Sequence, residues 1–457
     1  MNFFEGQKLV KQKEFGKALS IFLDLLKNEK INNDIYFYLG LIYSELNKFD
    51  KSVLYYDKYL KTDPNSISAL HNLAIVKQSI GELDSAKKIY FKLIDLDKTK
   101  IRSYFGLSML NINFLTIEHY ECIGKIEIDD KISFFEKSLV NFILAKRENK
   151  NKNYKKEIEY IKNFNLHSFK SNFAYNQSSQ FYYKNIINNF YNKIQFKKKN
   201  NENFKVKENS APIFIVGLPR SGSTLIESIL TSSDNKIKTC GESHVINMSV
   251  LEQVGPKIFI KDFDIKKFIF KIDHIEFKQT VLKRYGEFKI FDGKKISPFI
   301  DKSLENFLNI EMILKIFPNA KFLHTCRNPV DATISIYQAM LSELSWTHKI
   351  EDILSYVDNY KAIMNYFKSK YPKQIMEINL EQFTSQSELI GKKIYKFCNL
   401  KWNKNVLEFY KRKDLHSKTI SFTQIRNKIT EYDTKKYKPY THLLEDYKNK
   451  YKWIKTS

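Results

Sequence analysis

Over about the first hundred residues, small and large apolar positions recur at a fixed interval of 34. Gly6, Gly40 and Ala74 keep that interval. So do Phe15, Phe49 and Leu83; Ala18, Ser52 and Ala86; Phe22, Tyr56 and Tyr90; and Leu25, Tyr59 and Leu93. Leu39, Leu73 and Leu107 carry the register into a fourth, weaker copy. Small residues in the first and third of these columns let paired helices approach, and the large ones fill the space between them. Asn47 and Gly81 fall at the turn between two helices, and Asp63-Pro64 closes a repeat. The pattern weakens over residues 116–205. Ile132, Phe135, Leu139, Phe142 and Ile143 predict one amphipathic helix, and Tyr182 to Ile194 another. Two polar runs, 147–153 and 197–203, read as exposed loops or linkers, and the second sets a boundary just before Ala211.

From Ala211 onward the pattern changes to strands alternating with helices, which predicts an α/β domain with a mainly parallel sheet. Ile213 to Val216 is a buried strand, and Leu225, Ile226, Ile229 and Leu230 are the apolar face of the helix that follows. Leu304, Phe307, Leu308, Ile313, Leu314 and Phe317 predict a further helix face. Pro318-Asn319-Ala320 then turns the chain into a strand, Lys321–Cys326, which ends at Arg327-Asn328-Pro329 with Pro329 in the first turn of the next helix.

Between the first strand and helix lies Gly217-Leu218-Pro219-Arg220-Ser221-Gly222-Ser223-Thr224. A strand, a tight glycine loop and a helix start aim backbone N–H groups at one anion. The spacing follows the phosphate-loop pattern G-x-x-x-x-G-K-[ST], but Ser223 stands where the lysine would be. A nucleoside triphosphate site needs that lysine, so a kinase or ATPase is disfavoured. The cation comes earlier, at Arg220, whose planar fork suits a tetrahedral anion. Ligands of parallel sheets bind beyond the strands' carboxyl ends, so Arg220 and Arg327 are expected at one rim.

Composition narrows the picture. A chain of 457 residues is expected to form about two or three domains. Its formal charge of +25 favours anionic ligands or acidic protein segments, but the lysines are dispersed, so no nucleic-acid partner is expected. No run of 18 or more residues is wholly apolar, and no secretory leader is apparent. The four cysteines are far apart, and no His/Cys cluster has metal-ligand spacing. A cytoplasmic protein without a metal is the expectation.

The 34-residue unit resembles the tetratricopeptide repeat, a helix–turn–helix that stacks into a superhelical arm. The loop at 217–224, followed roughly a hundred residues later by Phe317 to Asp331 and then Ser335 one turn on, resembles the sulfotransferase family. The branch with N-terminal repeats and the tyrosylprotein sulfotransferases are most similar. The resemblance covers residues 211–335 well and the remainder loosely. It implies a tetratricopeptide arm over 1–115, a helical connector over 116–205 and a sulfotransferase domain over 206–457. It implies 3′-phosphoadenosine 5′-phosphosulfate as donor, with Pro219, Arg220, Ser221, Gly222, Ser223 and Thr224 around the 5′-phosphosulfate and Arg327 with Ser335 on the 3′-phosphate. Cys240-Gly241-Glu242 resembles the tyrosylprotein branch's segment in which the glutamate is the base, and Asp301-Lys302-Ser303 its Asp-Lys segment, in which the lysine neutralises the bridging oxygen. Arg220 and Lys302 would then be the electrostatic catalysts. Ser421 to Arg426 resembles the late donor-binding loop, with Gln424 and Arg426 near the adenosine or its phosphate. Where relatives carry a Tyr-Glu pair, this chain has Leu380-Glu381, so an adenine-contacting tyrosine is absent or comes from elsewhere, Tyr437 or Tyr440. The implied acceptor is a protein or peptide tyrosine held by the arm. A glycan or small-molecule hydroxyl, or a non-catalytic adaptor with a nucleotide-binding domain, stays open, as does the oligomeric state, a homodimer included.

Overall fold

The computed structural model describes residues 2–27, 32–186, 194–196, 211–233, 237–254, 270–272, 274–288, 290, 298–412 and 424–455. The chain divides into two compact units, Met1–Phe164 with Lys411–Arg426, and Asn165–Tyr410 with Asn427–Ser457. Residues 116–205 are thus shared between them. The polar run at 197–203 lies outside the described residues.

The first unit is helical. Its repeats are the pairs α1 (Phe3–Lys11) with α2 (Phe15–Lys27), α3 (Asp34–Glu45) with α4 (Phe49–Thr62), and α5 (Ile67–Ile80) with α6 (Leu83–Leu96), followed by α7 (Ile101–Leu110). The columns of small residues are the contact points. Ala18, Ser52 and Ala86 are fully buried. A Cβ on Gly40 would lie 2.9 Å from the Tyr56 ring, and the Ser52 hydroxyl donates to the Gly40 carbonyl at 2.7 Å. Lys13, Asn47 and Gly81, each 34 apart, all take the left-handed conformation at the turn, with φ of 60°, 57° and 88°. The turn therefore demands a geometry that only its third copy meets with glycine.

Beyond the repeats, α8 (Ile117–Glu127) and α9 (Phe134–Lys150) lead into α10 (Tyr154–Ser171). Helix α9 begins with a capping box in which Ser133 N donates to Glu136 Oε2 at 3.0 Å. It also runs through Lys150, so the expected loop at 147–153 shrinks to a tight turn. Its polar residues serve that turn: Asn153 donates to the buried Glu148 carboxylate at 2.9 Å. Of the second predicted helix, Tyr182 to Ile194, residues 187–193 lie outside the described residues. Helix α11 (Phe173–Phe181) ends in a wider turn at Tyr182–Ile186, and Ile194–Phe196 is a short strand parallel to Phe270–Ile272.

The second unit holds a five-stranded parallel sheet of β1 (Ile213–Gly217), β2 (Lys238–Thr239), β3 (Phe299–Asp301), β4 (Lys321–Cys326) and β5 (Ile375–Asn379), in the order β2-β3-β1-β4-β5. Central β1 is buried at all five positions, as an unbroken apolar run requires. It pairs Ile213 with Ile300 on one side and Gly217 with Thr325 on the other. Phe214 stacks on Phe322 and meets Phe299 and Phe317 edge-on or tilted, which forms the core. Helices α12 (Ser223–Thr231), α13 (Val245–Val254), α14 (His274–Glu287), α15 (Ile310–Ile316), α16 (Pro329–Gln338), α17 (Ile350–Lys370), α18 (Leu380–Ser385) and α19 (Ser387–Phe397) alternate with the strands or follow the last of them. The helix face expected over 304–317 is split, because a 3₁₀ segment, Leu304–Asn309, precedes α15. Among the described residues no helix is long and apolar enough to cross a membrane.

Candidate active site

The loop between β1 and α12 is shaped by three left-handed or mirror-region residues, Gly217 (φ 152°), Arg220 (φ 67°) and Gly222 (φ 89°). A Cβ on Gly217 would lie 2.3 Å from the Thr325 carbonyl, and one on Gly222 2.6 Å from Leu380. Gly217 is therefore required by contact with backbone as well as by conformation, and Gly222 by conformation. Arg220 adopts a conformation that costs an ordinary residue about 1 kcal/mol or more, which turns its side chain out of the loop's regular course. The Ser221 hydroxyl is engaged inside the loop, donating to the Leu218 carbonyl at 2.7 Å and paired with the Thr325 hydroxyl at 2.8 Å. What Ser221 offers a ligand is its backbone. Helix α12 starts at Ser223 with no side chain capping it, so its first-turn N–H groups point at the loop's mouth.

Arg327 follows β4 and meets this loop. Its Nη1 donates to the Arg220 carbonyl at 3.0 Å, and the two guanidinium groups repel one another. Burial, together with the Arg327 charge, lowers the Arg220 pKa; the Tyr437 phenol works against both. Arg327 is only 5% exposed in its side chain and lies between two rings, Tyr432 at 4.9 Å and Tyr437 at 5.0 Å. It donates to the Tyr432 hydroxyl, which in turn donates to Asp331 Oδ2 at 2.6 Å. Asp331 itself is 4.0 Å from the guanidinium, and Arg327 Nε is buried without a hydrogen-bond partner among the described residues. Ser335 is buried in the second turn of α16, one turn beyond Asp331, and bonds to Tyr437. Burial opposes ionisation of Tyr437, but Lys436, Arg327 and the Ser335 hydrogen bond outweigh it and the phenol's pKa falls.

A third cation, Lys302, follows β3 and is 2% exposed. Its ammonium lies 2.9 Å from Glu242 Oε1 and 3.3 Å from Glu227 Oε2. Burial disfavours the charge, yet the two carboxylates override it and the Lys302 pKa is raised. Glu242 is half-exposed, on the loop after β2 that Lys302 N pins through the Gly241 carbonyl at 2.9 Å. Beneath it Asp301 is fully buried and accepts from Ser243, Tyr285, Ser303 N and Asn306 at 2.6–3.2 Å.

Residues 212–404 match the family model described as the sulfotransferase family, and residues 34–66 match the tetratricopeptide repeat. The sulfotransferase match falls within the α/β unit and takes in all five strands of its sheet. Among curated relatives, an uncharacterised protein of Aquifex aeolicus is 26% identical over 92% of this chain, and the alignment spans 55% of that relative, so this chain spans about half its length. A Caenorhabditis briggsae protein provisionally named a protein-tyrosine sulfotransferase is 21% identical over 48% of this chain and 77% of its own length. Among solved structures, the sulfotransferase domain from the curacin biosynthetic pathway aligns over 51% of this chain and 97% of its own, at 15% identity and a TM-score of 0.35.

Within the α/β unit the structure brings Arg220, Ser221, Gly222, Ser223, Thr224, Arg327 and Ser335 to the carboxyl ends of β1 and β4, and Glu242 with Lys302 to those of β2 and β3. Pro219 is half-buried in the same loop. Arg426 belongs to the other unit, where it donates to the Ser79 carbonyl at 3.3 Å and packs on Gly81 at the end of α5. Gln424 precedes it in a short 3₁₀ turn, Gln424–Arg426. Three participants escaped the sequence reading. Glu227 and Tyr432 carry no motif of their own. Glu381 was noted only as a departure, yet it accepts Asn328 N at 2.7 Å and fixes the turn after Arg327.

Proposed function

We propose that the sulfotransferase domain moves a sulfuryl group from 3′-phosphoadenosine 5′-phosphosulfate to a hydroxyl, with a protein or peptide tyrosine as acceptor. The observation that carries the reading is the meeting of Arg220 and Arg327 beside a glycine loop, two buried cations on neighbouring strands at one rim. The residues present fit such a ligand: the uncapped α12 N-terminus and the Arg327 Nε await an acceptor. The loop from Pro219 to Thr224 would hold the phosphosulfate end, and Arg327 with Ser335 the 3′-phosphate. The donor supplies the activated sulfuryl group on a phosphate leaving group.

The chain's own residues do the rest. Glu242 accepts the proton of the acceptor hydroxyl as that oxygen forms its bond to sulfur. Lys302 and Arg220 provide fixed positive charge for the oxygen released from sulfur. The half-exposure of Glu242 leaves it open to an incoming side chain, and a carboxylate is a sufficient base for a phenol. The name of the Caenorhabditis relative and the Cys240-Gly241-Glu242 match also support tyrosine, and the repeat arm would hold the acceptor chain. The free thiols of all four cysteines suit a reducing cytoplasm. Mass spectrometry of peptide, glycan and small phenol acceptors incubated with labelled donor tests the reading. Label on peptide tyrosine is expected; label confined to sugar overturns the acceptor, and no transfer to anything favours an adaptor.

A further inference from the structure

Lys302 has two carboxylates, and the proposed reaction uses only one of them. We infer that Glu227 is a positioning residue, which keeps Lys302 in place while Glu242 takes up the acceptor's proton. Glu227 lies on α12, the helix that opens at the anion loop, and no motif assigns it a role. Its two oxygens are divided between two jobs. Oε2 faces the Lys302 ammonium at 3.3 Å, and Oε1 accepts from the Thr239 hydroxyl at 2.6 Å. The same Thr239 oxygen accepts Gly241 N at 3.0 Å, and the Gly241 carbonyl accepts Lys302 N at 2.9 Å. The chain of bonds therefore closes a ring from α12, through the base-bearing loop, back to the lysine.

The charge balance gives the ring its purpose. With both glutamates ionised the triad carries one net negative charge, and the ammonium is attracted to each. Once Glu242 holds a proton, Lys302 loses that partner at the moment its charge is wanted by the departing oxygen. In a site this dry, an ammonium without a counter-charge would give up its proton or move. Glu227 supplies the remaining counter-charge, its carboxylate held 3.3 Å from the ammonium and anchored by the Thr239 hydroxyl. The other groups around Lys302 cannot substitute. Asp301 is saturated by its four donors, Cys240 is a neutral thiol bonded to the Ile300 carbonyl, and Tyr285 donates to Asp301. The direction of the Lys302 shift agrees, since Glu227 and Glu242 both raise it against burial.

This inference rests on the proposed function for its purpose, but its test separates the two. The Lys302 ammonium is followed by side-chain NMR in the full chain without donor, assigned by its loss in Lys302→Arg. Glu227→Gln is expected to move its titration to lower pH, and Glu227→Asp to restore most of the change. An unmoved titration in Glu227→Gln overturns the inference whatever the activity. In turnover assays Glu227→Gln is expected to lower kcat by about tenfold, with KM for donor unchanged, and to shift the alkaline limb of the rate profile to lower pH. A merely structural role would lower thermal stability and leave that limb in place, which also overturns it. If the wild type transfers nothing, the proposed function fails, while the titration still decides the role of Glu227.

Discussion

The α/β unit holds Lys302 and Arg327 just beyond the ends of two strands of one parallel sheet, and it treats them differently. Lys302 is matched by carboxylates: two face it directly, and its charge is satisfied before any ligand arrives. Arg327 is matched by rings and a neutral hydroxyl. Its nearest carboxylate, Asp331, stands 4.0 Å off with the Tyr432 hydroxyl bonded to both, and one of its nitrogens has no partner among the described residues. A buried ion is tolerated only when something compensates for lost water. At Lys302 the compensation is internal, which suits a group that must stay put through chemistry. At Arg327 it is incomplete, which leaves attraction for an incoming anion. Under the proposed function the difference separates a reacting centre from a binding grip, and His348 supplies a third case. It is buried with neither ring nitrogen hydrogen-bonded among the described residues, and burial lowers its pKa instead.

The contrast can be broken most decisively at the base. Glu242→Ala is expected to lower kcat by about a thousandfold while adenosine 3′,5′-bisphosphate binds as before, measured by steady-state kinetics and calorimetry. Unchanged turnover would remove Glu242 from the reaction. Next in size, Arg327→Ala should weaken bisphosphate binding by about a hundredfold, because a charge-assisted contact with no internal substitute is lost. Equal affinity in wild type and variant would mean that the grip lies elsewhere.

His348 sharpens the comparison through pH. Burial pushes its pKa from 6.5 down to about 4, so the folded protein holds the neutral ring. The unfolded chain therefore takes up the proton first. The stability contribution is full above pH 6.5 and drains away as pH falls toward about 4, by about 3 kcal/mol in all. Denaturant unfolding of His348→Leu should lose that much less than wild type over this interval; parallel curves would refute the assignment. The smallest effect is expected at Tyr432→Phe. Removing one hydroxyl between Arg327 and Asp331 costs about 1 kcal/mol and should change bisphosphate affinity by about fivefold. A larger loss would show that Tyr432 touches the ligand itself.

The sequence by itself determined the repeating helix pairs, because a 34-residue register of small and large residues is written in neighbouring positions and each copy reinforces the next. It also determined the anion loop, since Gly217 and Gly222 answer to backbone conformation over eight residues, and the strand Lys321–Cys326 with Pro329 opening the helix after it. The bonds that set each cation's character were decided only by tertiary structure. Glu227 and Lys302 are 75 positions apart, and Tyr432 lies 105 beyond Arg327. No local period links such residues; their meeting depends on the strand order β2-β3-β1-β4-β5 and on the path of the chain's last segment. The same holds for Arg426, whose surroundings at Ser79 and Gly81 no motif announces. Spacing along the chain fixes what each element is, whereas the environment of a buried charge is a sum over elements distant in sequence, and it is that sum which pairs Lys302 with two carboxylates and leaves Arg327 Nε without a partner among the described residues.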